Sequence, residues 1–261
     1  RRVLFRSQPC GSAELALALA RSLLAEHGYE AHVARLAYQH WLASHPFDLA
    51  PAMQRALTGT VDATVEDAGA LVRIASLGIW SAGHPGRAAD AARQDARLTH
   101  PGDLCVASCG VLAATLAEVV GGAALPAIAA VALDAAKQGP AAVRDAIDLG
   151  LAGQRPDVNA ARVSVLVTLQ EAFYQLAHAD GFEEGVVASV SGGGDSHWRG
   201  AITGALLGAR EGSRRLPSRW VLPVLACRAS SNGDAFRPRP RDYWPDDVLD
   251  IAEALLKLAS P

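Results

Sequence analysis

The sequence predicts an all-α fold. Alanine and leucine recur at helical spacing, alternating β-branched runs are scarce, and the 24 glycines and 14 prolines fall mostly between the periodic segments. With 261 residues, one fold would bury roughly three quarters of its unfolded surface. Residues 1–261 are therefore expected to form a single domain.

Arg1-Arg-Val-Leu-Phe-Arg-Ser7 leads straight into a periodic segment with no element before it, which suggests an N-terminally incomplete chain. Residues 13–26 place Leu15, Leu19 and Leu23 on one stripe and stop before Gly28. Residues 31–42 repeat the pattern with Val33, Leu36 and Trp41. Further helices are expected over 69–80, 85–98, 104–120, 126–137, 141–148, 163–178, 182–189, 196–210, 217–226 and 245–258. One long irregular stretch, 228–244, carries Arg237-Pro-Arg-Pro-Arg241 and is too rich in proline for a helix. It reads as a solvated loop or as a basic lip over a phosphate site.

Half of the residues are hydrophobic and a fifth are charged, which excludes disorder and a collagen-like repeat. A net charge of −3 argues against a nucleic-acid or anionic-membrane partner held by bulk charge. Any anionic ligand must be gripped locally. The most apolar stretch, 111–133, is broken by Glu118 and Gly121-Gly122, so no membrane partner is expected. Cys10, Cys105, Cys109 and Cys227 lack the density of a disulfide scaffold; a reducing, cytoplasmic setting is the expectation. Cys105 and Cys109, four apart on a helix, read as buried small hydrophobes.

The richest chemistry lies in Ser191-Gly-Gly-Gly-Asp195-Ser-His-Trp198 and the helix that follows. Glycines let backbone amides approach a ligand, and a helix starting at Asp195 presents unpaired N–H groups and a positive dipole end to an anion. A tight turn capped by Asp195 fits the same spacing. No Gly-Lys-Ser/Thr follows, so this is not a Walker P-loop.

The segment resembles the GGDTDT motif and ensuing helix of the ADP-ribosylglycohydrolase family, which includes the dinitrogenase reductase-activating glycohydrolases. The matching order here is Gly193-Gly-Asp195-Ser-His-Trp, then Ala201-Ile-Thr-Gly-Ala-Leu-Leu-Gly-Ala209, then Leu216-Pro217 and Trp220. Upstream, Gly69-Ala-Leu-Val-Arg-Ile-Ala-Ser-Leu-Gly78 is similar to the family's GNGALMRxAPLG, and Thr99-His100-Pro101 to its Thr-His-Pro stretch. Asp103-Leu-Cys-Val-Ala-Ser-Cys109, Leu169-Gln-Glu-Ala-Phe173 and Phe182-Glu-Glu follow in register. Together the matches span about 200 residues of this sequence.

The resemblance implies a helical globule whose cleft holds two magnesium or manganese ions and cleaves the N- or O-glycosidic bond to ADP-ribose. Carboxylates and hydroxyls would be the hard ligands for such ions, and nearby negative charge favours an oxocarbenium-like transition state. Retained are Gly69, Arg73, His100, Gly193, Gly194 and Asp195, which resemble parts of an ADP-ribose cradle. Departures are heavy. His197 replaces the second aspartate, Trp198 the final threonine, and Ser196 the first threonine; Cys10, Gly11, Ser12 and Ala13 stand where the family has Thr-Asp-Asp-Thr. The family's glutamate-bearing first helix is not seen before Cys10, whether through truncation or true loss, and Asp67-Ala68-Gly69 stands where the family has Gly-Asn-Gly.

Magnesium is thus a family expectation whose ligands are mostly gone, leaving a degenerate site or none. Asp195 is the expected carboxylate near the anomeric carbon, with Glu14 and Asp67 as candidates for a second. Gly69, Arg73, His100, Gly193, Gly194, Ser196 and Trp198 are the expected ligand-holding set. Three roles fit His197: a ligand, with Asp195, for a softer metal such as zinc; a metal-free acid or base; or a packed or exposed helix-start residue. Trp198 either stacks on a base or ribose or fills the space the metals vacate. The expected function is hydrolysis or recognition of an ADP-ribosyl linkage, the partner being ADP-ribose or an ADP-ribosylated protein or small molecule. The alternative is a non-catalytic ADP-ribose binder or a crystallin-like structural protein on the same fold.

Overall fold

A computed structural model describes residues 8–158, 164–231 and 237–259. Among them lie thirteen α-helices and no strand. The order is α1 Gly11–Glu26, α2 Ala31–Ala43, α3 Pro51–Leu57, α4 Ala75–Trp80, α5 Pro85–Arg97, α6 Asp103–Val120 and α7 Leu125–Ala136. It continues with α8 Ala141–Leu151, α9 Val165–His178, α10 Phe182–Ser191, α11 Ser196–Glu211, α12 Ser218–Leu225 and α13 Val248–Ala259.

Helix α6 is the axis of the fold. It is apolar on every side, with Cys105, Cys109, Val111, Leu112 and Leu116 among its buried residues. Each fully buried valine or leucine side chain contributes about 1.5–3 kcal/mol, and an all-round apolar helix finds that burial only inside a bundle. It is the one described helix long and apolar enough to cross a membrane, yet 78% of that window is buried in the protein. Helices α4, α5, α7, α9 and α11 surround it. Helix α1 buries Leu15, Leu19 and Leu23, the stripe expected from its spacing, against α2, α4 and α13.

Three parts of the chain differ from the sequence expectation. Residues 69–80 do not form one helix: a turn leads into a 3₁₀ segment, Leu71–Arg73, and α4 starts only at Ala75. Helix α3 was not foreseen. Its signals are Pro51 at the first turn and Met53, Ala56 and Leu57 as its buried face. The stretch 228–244, of which 232–236 lie outside the described residues, is not merely a solvated loop. Arg239 and Tyr243 are buried, and Arg241–Tyr243 is a 3₁₀ turn. Val163, the expected start of the helix preceding α10, also lies outside the described residues.

Candidate functional site

The first wall of the site grows from the turn that precedes Leu71. Asp67 Oδ1 accepts from the Gly69 amide at 2.8 Å and from His100 Nε2 at 2.9 Å. A Cβ on Gly69 would stand 2.8 Å from Asp67 Oδ1 and 3.1 Å from His100 Nε2, so the close pair requires glycine there. His100 follows α5, is 1% exposed, and contacts Thr99 Oγ1 through Nδ1 at 2.9 Å. Thr99 Oγ1 accepts from Arg73 Nη1 at 2.9 Å, and Arg73 Nε donates to Asp95 Oδ1 at 2.6 Å. Tyr38 closes the chain by donating its hydroxyl to Asp95 Oδ2 at 2.7 Å. Nε2–H thus donates to Asp67 and Nδ1 is bonded to Thr99 Oγ1, so both ring nitrogens are partnered.

The electrostatics follow from this wiring. Burial raises the Asp67 carboxyl, but the hydrogen bond and charge of His100 and the Gly69 amide outweigh it and hold Asp67 below the usual carboxylate range. Burial likewise opposes the Arg73 charge, and Asp95 overrides it, so the guanidinium is held charged. Burial, reinforced by Asp95, raises the Tyr38 hydroxyl well above its ordinary value. Cys105 and Cys109 sit beside this wall, fully buried. Burial pushes the Cys105 thiol up to about 12, which fits small hydrophobes better than nucleophiles.

Opposite stand the first turns of α1 and α11. Gly193 and Gly194 have φ of +81° and +60°, the left-handed region where glycine is at ease. Arg199, 2% exposed, pins this loop by donating to the Gly193 and Ser189 carbonyls. Asp195 caps α11 in position but makes no side-chain cap bond, and among the described residues its buried Oδ2 has no hydrogen-bond partner. Ser196 opens the helix, half-buried, and His197 is exposed. The Trp198 indole donates to Ser12 Oγ at 3.2 Å, joining the two helix starts.

Between these walls lies a cleft of about 280 Å³. Gly11, Ser12, Asp48, Gly69, His100, His197 and Trp198 line it, over Leu15, Trp41 and Met53. The fold therefore brings Gly69, His100, His197 and Trp198 to one cavity, with Asp67 bonded directly behind. It places Glu14 and Arg73 elsewhere. Glu14, 1% exposed, is committed to Arg239 at 2.8 Å and to Trp41 Nε1 at 2.7 Å; Arg73, 0% exposed, is the counter-ion of Asp95. Gly193, Gly194, Asp195 and Ser196 are not among the cleft-lining residues.

Asp48 is the cleft residue that sequence reasoning missed. It accepts from the Gly11 amide at 3.3 Å, and its only sequence signal is an acid shortly before the Pro51 helix start.

The geometry does not suit a metal pair. Among the described residues no three His, Cys, Asp or Glu side chains are grouped to hold an ion. At position 11 a Cβ would sit 2.0 Å from the Asp48 carbonyl oxygen, so no carboxylate fits there without moving the backbone. The Ser12 hydroxyl is engaged by Trp198. Hard cations need several oxygen ligands to displace their water, and this set does not supply them.

A family model for ADP-ribosylglycohydrolases matches residues 11–259. Among curated proteins, the ADP-ribosyl-[dinitrogen reductase] glycohydrolase of Rhodospirillum rubrum is 27% identical over 217 residues, covering 80% of this chain and 70% of that protein. Among solved structures, a chain described as an ADP-ribosylglycohydrolase-related protein complex superposes with a TM-score of 0.73 at 27% identity, covering 94% of this chain and 80% of that one. The helical order, the meeting of the α1 and α11 starts beside the Asp67–His100 wall, and a match over nearly the whole chain lead to one conclusion: the chain belongs to the ADP-ribosylglycohydrolase family.

Proposed function

We propose that this protein recognises an ADP-ribosyl group in the cleft between α1, α3 and α11, without a paired magnesium centre. The carrying observation is the Trp198–Ser12 hydrogen bond, which occupies the junction of the two helix starts where the family motifs would place metal ligands. The ligand-holding groups are His100 in the cleft, held rigid by Asp67 and Thr99, and, outside the cleft lining at the exposed positive end of α11, the Gly193 and Gly194 amides, suited to a diphosphate that extends beyond the cleft. The family assignment and the glycohydrolase named for Rhodospirillum rubrum, an ADP-ribosyl-[dinitrogen reductase] glycohydrolase, support the ADP-ribosyl identity of the ligand.

The test is a calorimetric titration of ADP-ribose into wild type and His100→Ala, each shown folded by circular dichroism. The reading expects binding in wild type and at least about tenfold weaker binding in the variant, a loss of 1.4 kcal/mol. A folded wild type that gives no heat refutes it.

A second reading, metal-free hydrolysis, draws on the carboxylates. Asp67, held ionised behind Gly69 and His100, and Asp48 at the cleft wall supply negative charge of the kind that stabilises an oxocarbenium-like transition state. In that reaction water adds to the anomeric carbon, the bond to the aglycone breaks and the aglycone takes up a proton. Release of ADP-ribose from an ADP-ribosylated substrate in EDTA, absent in Asp67→Asn, would support it; no release would leave recognition alone.

A further inference from the structure

Arg73 was expected to hold the ligand, yet the fold buries it completely and keeps it out of the cleft lining. A buried guanidinium is tolerated when its donors are used, and each nitrogen of Arg73 has its own partner. Nε donates to Asp95 Oδ1 at 2.6 Å, Nη2 to the Asp95 carbonyl at 2.9 Å and Nη1 to Thr99 Oγ1 at 2.9 Å. The Tyr38 ring packs against the guanidinium carbon, its centroid 4.7 Å away. Side chains of α2 and α5 thus fix the planar fork. Its Nη1 end reaches toward the cleft. Thr99 Oγ1, which Nη1 holds, lies 2.9 Å from His100 Nδ1, and Nη1 also faces Met53 Sδ at 4.0 Å. Both His100 and Met53 line the cavity.

We propose that Arg73 is a positioning residue for ligand recognition. It does not meet the ligand; through the Thr99 hydroxyl it sets the orientation of the His100 ring, and Met53 is seated against the same nitrogen. The inference rests on the ADP-ribosyl reading above and adds the group that gives the cleft wall its shape. Thr99 is 2% exposed, so solvent does not stand in for either of its partners. The hydrogen bond made by one imidazole nitrogen governs how the other is presented, and a site is only as well set as the shell behind it. A lysine at position 73 would keep a charge beside Asp95 but would lose the planar fork whose separate nitrogens meet Asp95 and Thr99 together. The role requires the fork and not the charge alone.

The experiment titrates ADP-ribose by calorimetry into wild type, Thr99→Ser, Thr99→Val, Arg73→Lys and the Arg73→Lys/Thr99→Val double variant, each at a temperature where it is folded. In parallel, nitrogen-15 spectra of the histidine side chains record the His100 Nδ1 resonance, assigned by its loss in His100→Gln. Thr99→Ser keeps the hydroxyl and should match wild type in both readouts. Thr99→Val should move the Nδ1 resonance and bind ADP-ribose about fivefold more weakly. Arg73→Lys should do the same, and the double variant should be no weaker than either single one, because all three break one link. A purely structural role would lower melting temperatures while leaving the resonance and the affinity of the folded protein in place. Thr99→Ala replaces Thr99→Val if the latter does not fold, and the Thr99 variants carry the test alone if Arg73→Lys does not.

A folded Thr99→Val protein that binds ADP-ribose like wild type overturns the positioning role and leaves the ADP-ribosyl reading standing. Weaker binding with an unmoved Nδ1 resonance, or additive losses in the double variant, overturns the route through Thr99 to His100. A wild type that does not bind ADP-ribose, with Nδ1 displaced in Thr99→Val, removes the ADP-ribosyl reading and keeps the link that sets the ring. No binding and no displacement remove both.

Discussion

Replacing Glu14 with alanine should unfold the molecule rather than silence it. The Glu14 carboxylate accepts from Arg239 Nε at 2.8 and 3.1 Å, from Arg239 Nη2 at 2.8 Å and from Trp41 Nε1 at 2.7 Å. Its removal leaves the Arg239 side chain, 2% exposed, with Ser44 as its remaining acceptor among the described residues and strands the indole N–H.

Deleting one partner of a buried pair costs about 3–5 kcal/mol, and an orphaned donor about 1–3 kcal/mol. The two overlap, because both groups relax into the same vacated space, so a loss of about 4–6 kcal/mol is expected. At roughly 2–4 °C per kcal/mol for a domain of this size, the melting temperature should fall by about 10–20 °C. Glu14→Gln keeps the shape and one acceptor and should lose about half as much. Urea denaturation and ADP-ribose titration at low temperature are the assays. A Glu14→Gln protein that melts like wild type but no longer binds ADP-ribose would refute this reasoning and return Glu14 to the site.

Three further outcomes follow from the same geometry. Gly69→Ala pushes a methyl group to 2.8 Å from Asp67 Oδ1 and should cost about 1–3 kcal/mol while weakening ADP-ribose binding; a neutral effect on both would show that the Asp67–His100 wall is not tightly set. Asp67 has a folded-state pKa below its unfolded value, so its contribution to stability is complete above about pH 4 and is lost as pH falls through the lower, folded value. The stability gap between wild type and Asp67→Asn should therefore narrow on acidification in a pH series of urea melts; a gap that widens contradicts the assignment. Gly11→Asp restores a family carboxylate by sequence, yet its Cβ meets the Asp48 carbonyl at 2.0 Å. It should destabilise by about 3 kcal/mol and gain no magnesium-dependent affinity; a stable variant with such a gain argues that the helix starts can reopen.

The helical class and the order of most elements were legible because apolar spacing, caps and punctuation agree along the chain. Where spacing and tertiary contact conflict, contact decides. Residues 69–80 have helical spacing, but Arg73 reaches inward to Asp95 and Thr99 and Gly69 seats the Asp67–His100 pair, so the segment breaks into a turn, a 3₁₀ segment and a short helix. Motif order pointed to the α1 and α11 starts and to Gly69, His100, His197 and Trp198, four residues that the fold brings to one cavity.

Residue type alone does not tell a charge that faces a ligand from one that faces a partner far away in sequence. Glu14 and Arg239 are 225 positions apart, and neither local window shows that they meet. Asp48 escaped notice for the complementary reason. Its role depends on the Gly11 amide and on the cleft wall built by α3, a helix too short to register as periodic.

The most direct test of the central claim is titration of ADP-ribose into the wild-type chain, once in excess magnesium and once in EDTA. Recognition by the Gly193–Gly194 amides and the His100 wall predicts dissociation constants that agree within about twofold. Binding strengthened at least about tenfold by magnesium, a coupling of 1.4 kcal/mol, would contradict the metal-free account. A folded chain that gives no heat in either buffer would contradict recognition itself and favour a structural role for the fold.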